Sequence, residues 1–254
     1  MKIVVLSAHR GDAALSAGLA VESWLRQGHA VEVMSVFTRT EQAPFSDLGS
    51  LHPNDRVSFA SAVRRREDEA WAKLYAGLPG KGKLTFVDLN LKDAPLRLHC
   101  SVNEVRGREP LLTEKVMLKV KRALEMARGG AVVLPLGVGL HVDHRTVVQA
   151  ALPADAGNAP LAFYEEQPFA VQEPAAIDAA VLACTLAAGV PLQSWSAGEP
   201  LEEQAAVARK RRMALCYDSL IDDATAAAIA SGSVVHGGRE RLWGNAAWSA
   251  AFAT

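Results

Sequence analysis

Two short polar clusters carry the residue types that zinc chemistry uses. The first is Ser7-Ala8-His9-Arg10-Gly11-Asp12. The second is His141-Val142-Asp143-His144, just past the glycine-rich run Pro135-Leu136-Gly137-Val138-Gly139. Imidazole and carboxylate are good zinc ligands, and a catalytic site typically uses three protein ligands and keeps a fourth position for water. Zinc makes that water acidic and polarises a substrate carbonyl. Gly137 and Gly139 would let the backbone approach such a site closely. From spacing alone, the same residues also suit packing and hydrogen bonding, and Asp143 suits capping of the helix after it. His29, His52, His99 and His236 lack such company and read as surface or loop residues.

Each cluster follows a stretch that reads as a strand. Lys2 to Ser7 is short, apolar and β-branched, and Ala131 to Leu134 repeats that character. Helical periodicity runs from Ala13 to about Gln27, with Gly28 as a stop, and Ala30 to Phe37 reads as a second strand. Strand, helix, strand implies a parallel βαβ unit. In an open parallel sheet, ligands bind at the carboxyl ends of the strands. Both clusters then share one sheet edge, where His9, Asp12, His141, Asp143 and His144 can converge. The unit has no G-x-G-x-x-G, which disfavours a dinucleotide site.

Further along, Thr38 to Asn54 reads as a loop and Asp55 to about Ala76 as a helix. Leu84 to Leu89 reads as a strand and Leu91 to Pro110 as irregular chain. Thr113 is a candidate N-cap for a helix to about Ala127. His144 to Ala151 reads as helix, Pro160 to Tyr164 as strand, and Leu201 to about Leu220 as helix. Ala175 to Leu186 fits helix or strand, and the segment after Ser231 is mixed.

The bulk composition narrows the function classes. The 254 residues are 50% hydrophobic, enough for one sizeable core, and one domain over 1–254 is the expectation. A formal net charge of −1 gives no basic excess for nucleic acid or an anionic membrane. No apolar run approaches the roughly 20 residues of a membrane span, and no leader is recognisable. The expected compartment is the cytoplasm. Cys100, Cys184 and Cys216 are scattered, with no CxxC pair, so free thiols are expected.

The motifs resemble those of the PIG-L (LmbE-like) zinc N-deacetylases. Ser7 to Gly18 is similar to the first motif, [SA]-[PA]-H-x-D-D-x, with the continuation A-L-S-x-G. PLGVGLHVDHR, from Pro135 to Arg145, is similar to the second. Phe163 to Ala170 resembles F-Y-E-D-x-P-Y-A, and Arg64-Arg65-Arg66-Glu67-Asp68 resembles R-R-x-E-D. Lys210 to Ser219 resembles K-x-x-A-x-x-x-Y-x-S, and Glu240 to Trp243 resembles E-x-x-W. The matches run in order along nearly the whole chain.

The resemblance implies a Rossmann-like α/β fold, mostly parallel and flanked by helices. It implies Zn2+ on His9, Asp12 and His144. His141 would stabilise the oxyanion or protonate the leaving amine, and Asp143 would be its partner. Arg64 matches a substrate-contact position, or pairs with Glu67 or Asp68. The implied reaction is amide hydrolysis, classically removal of an N-acetyl group from an amino sugar or small glycoconjugate. The implied partner is that small molecule, and a homo-oligomer is compatible with the pattern.

Three positions depart from the pattern. Gly11 stands where the family keeps its general-base aspartate. Arg10 replaces an apolar residue and could hold a substrate carboxylate. Leu220 replaces the glutamine of an S-Q pair. A positioned base contributes about 10²–10⁴-fold. Its role could fall to a loop carboxylate, with Glu41, Asp47 and Glu166 as the candidates. The alternative is a zinc-containing binding or regulatory protein without hydrolytic activity.

Overall fold

A computed structural model describes residues 1–252 except 112–113, 127–129, 153–155 and 233. Thr113 lies outside the described residues. Among them, seven strands form one sheet: β1 (Lys2–Ser7), β2 (Ala30–Ser35), β3 (Lys83–Asp88), β4 (Ala131–Pro135), β5 (Leu161–Tyr164), β6 (Gln193–Ala197) and β7 (Glu240–Gly244). Their order is β3-β2-β1-β4-β5-β7-β6. The first five are parallel, and β7 runs antiparallel to both neighbours.

Ten helices of the described chain cover the sheet: α1 (Asp12–Arg26), α2 (Pro53–Lys73), α3 (Ala94–Leu98), α4 (Glu114–Met126), α5 (Val142–Ala151), α6 (Phe169–Gln172), α7 (Ala176–Ala188), α8 (Glu203–Ala214), α9 (Asp223–Gly232) and α10 (Ala246–Phe252). β1 is apolar on both faces because both are covered, as parallel strands require. Ile3 and Val5 pack with residues of α1, α2, α8, α9 and α10. Val4 and Leu6 pack on the other side, with α4, α5 and α7. The fold is the expected mostly parallel α/β sheet between helices. No helix of the described chain is long and apolar enough to cross a membrane. The three cysteines are free.

The chain leaves β1 towards β2 on one side and reaches β4 on the other. Strand order therefore reverses between β1 and β4, where the ends of parallel strands leave a crevice. Both polar clusters emerge there.

The terminal motifs have a structural task. The buried Lys210 donates to Ala14 O at 3.2 Å and pairs with Glu240, which accepts from Ala20 N at 2.9 Å. Two side chains thus enter the hydrogen-bond ladder of α1, and the helix kinks between them at Ala17 (φ −134°).

Candidate metal centre and active site

The site is built from two turns. After β1, the chain turns through His9 and Gly11 into α1. Gly11 has φ +99°, outside the range side chains tolerate. Asp12 opens α1, and its Oδ2 accepts His9 N at 2.7 Å. After β4, Gly137 and Gly139 also have positive φ, +89° and +79°. A Cβ at Gly139 would lie 2.5 Å from the Phe169 ring, so this approach needs glycine. Glu166 holds the turn, accepting Gly137 N at 2.5 Å and Val138 N at 3.0 Å. His141 then caps α5, its Nδ1 accepting Asp143 N at 3.1 Å.

These turns bring three ligand atoms together. His9 Nδ1 lies 3.3 Å from His144 Nε2 and 3.6 Å from Asp12 Oδ2, and His144 Nε2 lies 3.4 Å from the same oxygen. Ligands 2.0–2.1 Å from a tetrahedral zinc lie about 3.4 Å apart, so the triangle has the size of one tetrahedral face. The far nitrogens are also held. His9 Nε2 contacts Asp143 Oδ2 at 2.9 Å, and His144 Nδ1 contacts Glu166 Oε1 at 3.3 Å. Carboxylates behind the imidazoles orient metal-binding histidines in this way. His9, His141 and Asp143 form a second possible group. It is the poorer one, because Arg97 stands 2.9 Å from Asp143 and Ala94 N already donates to that carboxylate at 2.8 Å.

The charges tell the same story. Burial draws His144 down, but Asp12 and Glu166 hold it up at about 10. Burial draws His9 down, and Asp12 and Asp143 raise it to about 9. The two rings face each other across 3.3 Å, so their titrations are coupled. Burial pushes Asp12 up, yet His144 and His9 hold it far below the usual carboxylate range. This pocket of negative potential suits a cation. His141 differs: burial, with His9 and His144 close by, pulls it down to about 3. It is a neutral imidazole.

The family profile described as GlcNAc-PI de-N-acetylase, PIG-L, matches residues 4–154, more than half of the chain and both turns of the site. The chain belongs to the PIG-L family. It is 32% identical over 181 residues to a 2'-N-acetylparomamine deacetylase of Streptomyces fradiae, covering 68% of this chain and 60% of that protein. A deacetylase triple mutant from the teicoplanin biosynthetic pathway shares the fold, with a TM-score of 0.66, 20% identity and coverage of 96% and 97% of the two chains. So does a 4-carboxy-2-hydroxymuconate hydratase of Pseudomonas putida KT2440, with a TM-score of 0.57, 14% identity and coverage of 96% and 95%. These two likenesses show the fold alone, and function must be argued from the site.

The triad opens into a cavity of about 380 Å³. Arg10 and Arg64 border it, but neither offers a free cation. Arg10 is 6% exposed and bridges Asp68 (2.6 Å) and Asp88 (2.5 Å). Arg64 pairs with Glu67 at 2.8 Å, donates to the Arg10 carbonyl and lies over the Tyr217 ring. Both arginines are spent on holding the His9–Asp12 turn. Asp143 also differs from its expected place. Its backbone N–H serves His141, while its carboxylate serves His9.

Gly11 is closed from the side. A Cβ there would meet Arg64 Nη2 and Tyr217 Cδ1, each at 3.0 Å. Glu166 is fully buried behind His144, and Glu41 and Asp47 do not line the cavity. The carboxylate that does line it, besides Asp12, is Asp93, which the sequence reading passed over. Its signal was local. Asp93-Ala94-Pro95 places a capping residue before a proline, a helix-start pattern.

Proposed function

We propose that this protein is a zinc-dependent amide hydrolase that removes an N-acetyl group from an amino sugar or related small molecule. The observation that carries the reading is the tetrahedral-sized His9–Asp12–His144 face inside a cavity. The S. fradiae relative, named for an N-acetylated amino sugar, supports the substrate class.

Zinc, when bound there, would supply an acidic water and a Lewis acid for the acyl oxygen. The remaining work belongs to the chain. His141 keeps its proton on Nε2, because Nδ1 accepts a backbone N–H. It therefore donates a hydrogen bond to the acyl oxygen as negative charge grows there. Asp143 and Glu166 fix the rings of His9 and His144. Phe37, Val105 and Phe169 line the cavity, exclude water and strengthen each of these contacts. With Arg10, Arg64 and Arg106 all paired to carboxylates, the cavity favours a substrate neutral at its reacting end.

Gly11 favours a second reading, a zinc-containing binder without turnover. Zinc content measured together with acetate release from a panel of N-acetylated amino sugars separates them. Stoichiometric zinc with release supports the hydrolase. Stoichiometric zinc without release across the panel supports the binder.

A further inference from the structure

We propose that Asp93 is the general base of this site, filling the role that Gly11 cannot. The proposal rests on the amide-hydrolase reading above. Among the described residues lining the cavity, five side chains could accept a proton: His9, Asp12, Asp93, His141 and His144. His9, Asp12 and His144 are committed to the metal face. The hydrogen bond from Asp143 N to His141 Nδ1 leaves the His141 proton on Nε2, where it donates and does not accept. Asp93 remains.

Its surroundings suit the task. Asp93 follows β3 at the carboxyl edge of the sheet and is 1% exposed. Thr40 Oγ1 accepts Gln42 N at 2.8 Å and so turns its own proton to Asp93 Oδ2, 2.6 Å away. Leu96 N donates to Oδ1 at 3.3 Å. Each oxygen keeps a lone pair after these contacts. Burial raises the affinity of Asp93 for a proton, and this outweighs the Thr40 hydrogen bond and the nearby His9, which lower it. A carboxylate moved towards neutrality is a better base than one in bulk water. The cap on α3 explains Oδ1 alone, since Ser, Thr or Asn caps as well as Asp. It does not explain a second oxygen, anchored by a threonine from another loop, on the cavity wall.

The step balances with one carboxylate. Water gives a proton to Asp93 as its oxygen bonds to the acyl carbon. The C=O electron pair moves onto the acyl oxygen, which takes the hydrogen bond of His141 Nε2–H. The C–N bond then breaks, the amide nitrogen takes the proton from Asp93, and the carboxylate is restored. Amide and water become acid and amine, with no redox change.

The test is Asp93→Asn in the full chain loaded with zinc. Asn keeps the cap through its one oxygen, and its amide must donate to Thr40 Oγ1 where Asp93 accepted, so zinc content should match the native protein with the fold intact and the melting temperature only slightly lower. Acetate release from the N-acetylated panel should fall about 10²–10⁴-fold in kcat, with KM little changed. An unchanged kcat overturns the proposal, and so does a rise in KM alone, which would make Asp93 a substrate-binding residue. A second readout needs no turnover. Acetate in the cavity places a second carboxylate beside Asp93, and such a pair shares a proton. Calorimetry in two buffers should show about one proton taken up with acetate by the native protein and none by Asp93→Asn. Equal uptake by both proteins, or none by the native protein, overturns the assignment. Native protein without turnover defeats the hydrolase reading, and the proton count still decides the role of Asp93.

Discussion

Placing a carboxylate at Gly11, where the sequence resemblance implies a general base, should not raise turnover. Gly11→Asp puts a Cβ on a backbone with φ +99°, which costs about 1–2 kcal/mol. The same Cβ sits 3.0 Å from Arg64 Nη2 and from Tyr217 Cδ1. Both neighbours are buried, and Arg64 is tied to Glu67 and the Arg10 carbonyl, so overpacking adds about 1–3 kcal/mol. A total of about 2–5 kcal/mol lowers the melting temperature by about 5–15 °C in a chain of this size. The new carboxylate would also lie against the Arg64 guanidinium, which depresses its pKa and makes it a poor base. Thermal melts and acetate release on the zinc-loaded variant check both parts. Native-like stability with a gain of about tenfold or more in rate would refute the reasoning, since even part of a base's contribution reaches that size.

Other consequences follow from the hydrogen bonds at the site. His141→Asn keeps the cap on α5 but removes the Nε2–H donor, so zinc should stay while kcat falls about 10²–10³-fold; loss of zinc in elemental analysis would make His141 a ligand. Glu166→Ala orphans Gly137 N, Val138 N and the Nδ1 proton of His144. Chelator competition should show zinc affinity weakened by about 10–100-fold, and melts a clear destabilisation. The proton held by His144 to about pH 10 competes with the metal. Because that pKa is raised, the proton is bound at neutral pH and is lost only as pH climbs. With His9 also raised, to about 9, zinc affinity should therefore rise by about one to two decades per pH unit between pH 7 and 9, and a flat profile would contradict the assignment.

The parts of the fold built from local pattern were legible. β1, β2, β4 and β5 are short apolar runs bounded by polar or glycine-containing turns, and α1 lies within a residue of its expected limits. α8 ends at Ala214, six residues short of the expected Leu220, where the chain tightens into a 3-10 turn over Leu215–Tyr217. α2 begins at Pro53, two residues earlier than its charge pattern suggested, with His52 as cap. The segment 175–186, ambiguous by pattern, is α7. β6 and β7 were missed for a physical reason. β6 is a mostly exposed edge strand whose alternation is only Trp195 and Ala197 between serines, too short and too polar to stand out. β7 pairs antiparallel between β5 and β6, and those partners lie far away in the chain. The site divides in the same way. His9, Asp12, His141 and His144 could be read because each follows a strand. The partners of Arg10 at Asp68 and Asp88 could not, being set by how α2 and β3 pack against the β1 turn. The same holds for the carboxylate of Asp143, which meets His9 across the β1/β4 crevice.

The central claim is that His9, Asp12 and His144 form a metal face. Its most direct test is the zinc content of the native chain and of His144→Ala after equilibration with zinc and removal of loose metal. The account predicts one ion per native chain and none in the variant, with the variant still folded by circular dichroism. Full zinc occupancy in folded His144→Ala would contradict it.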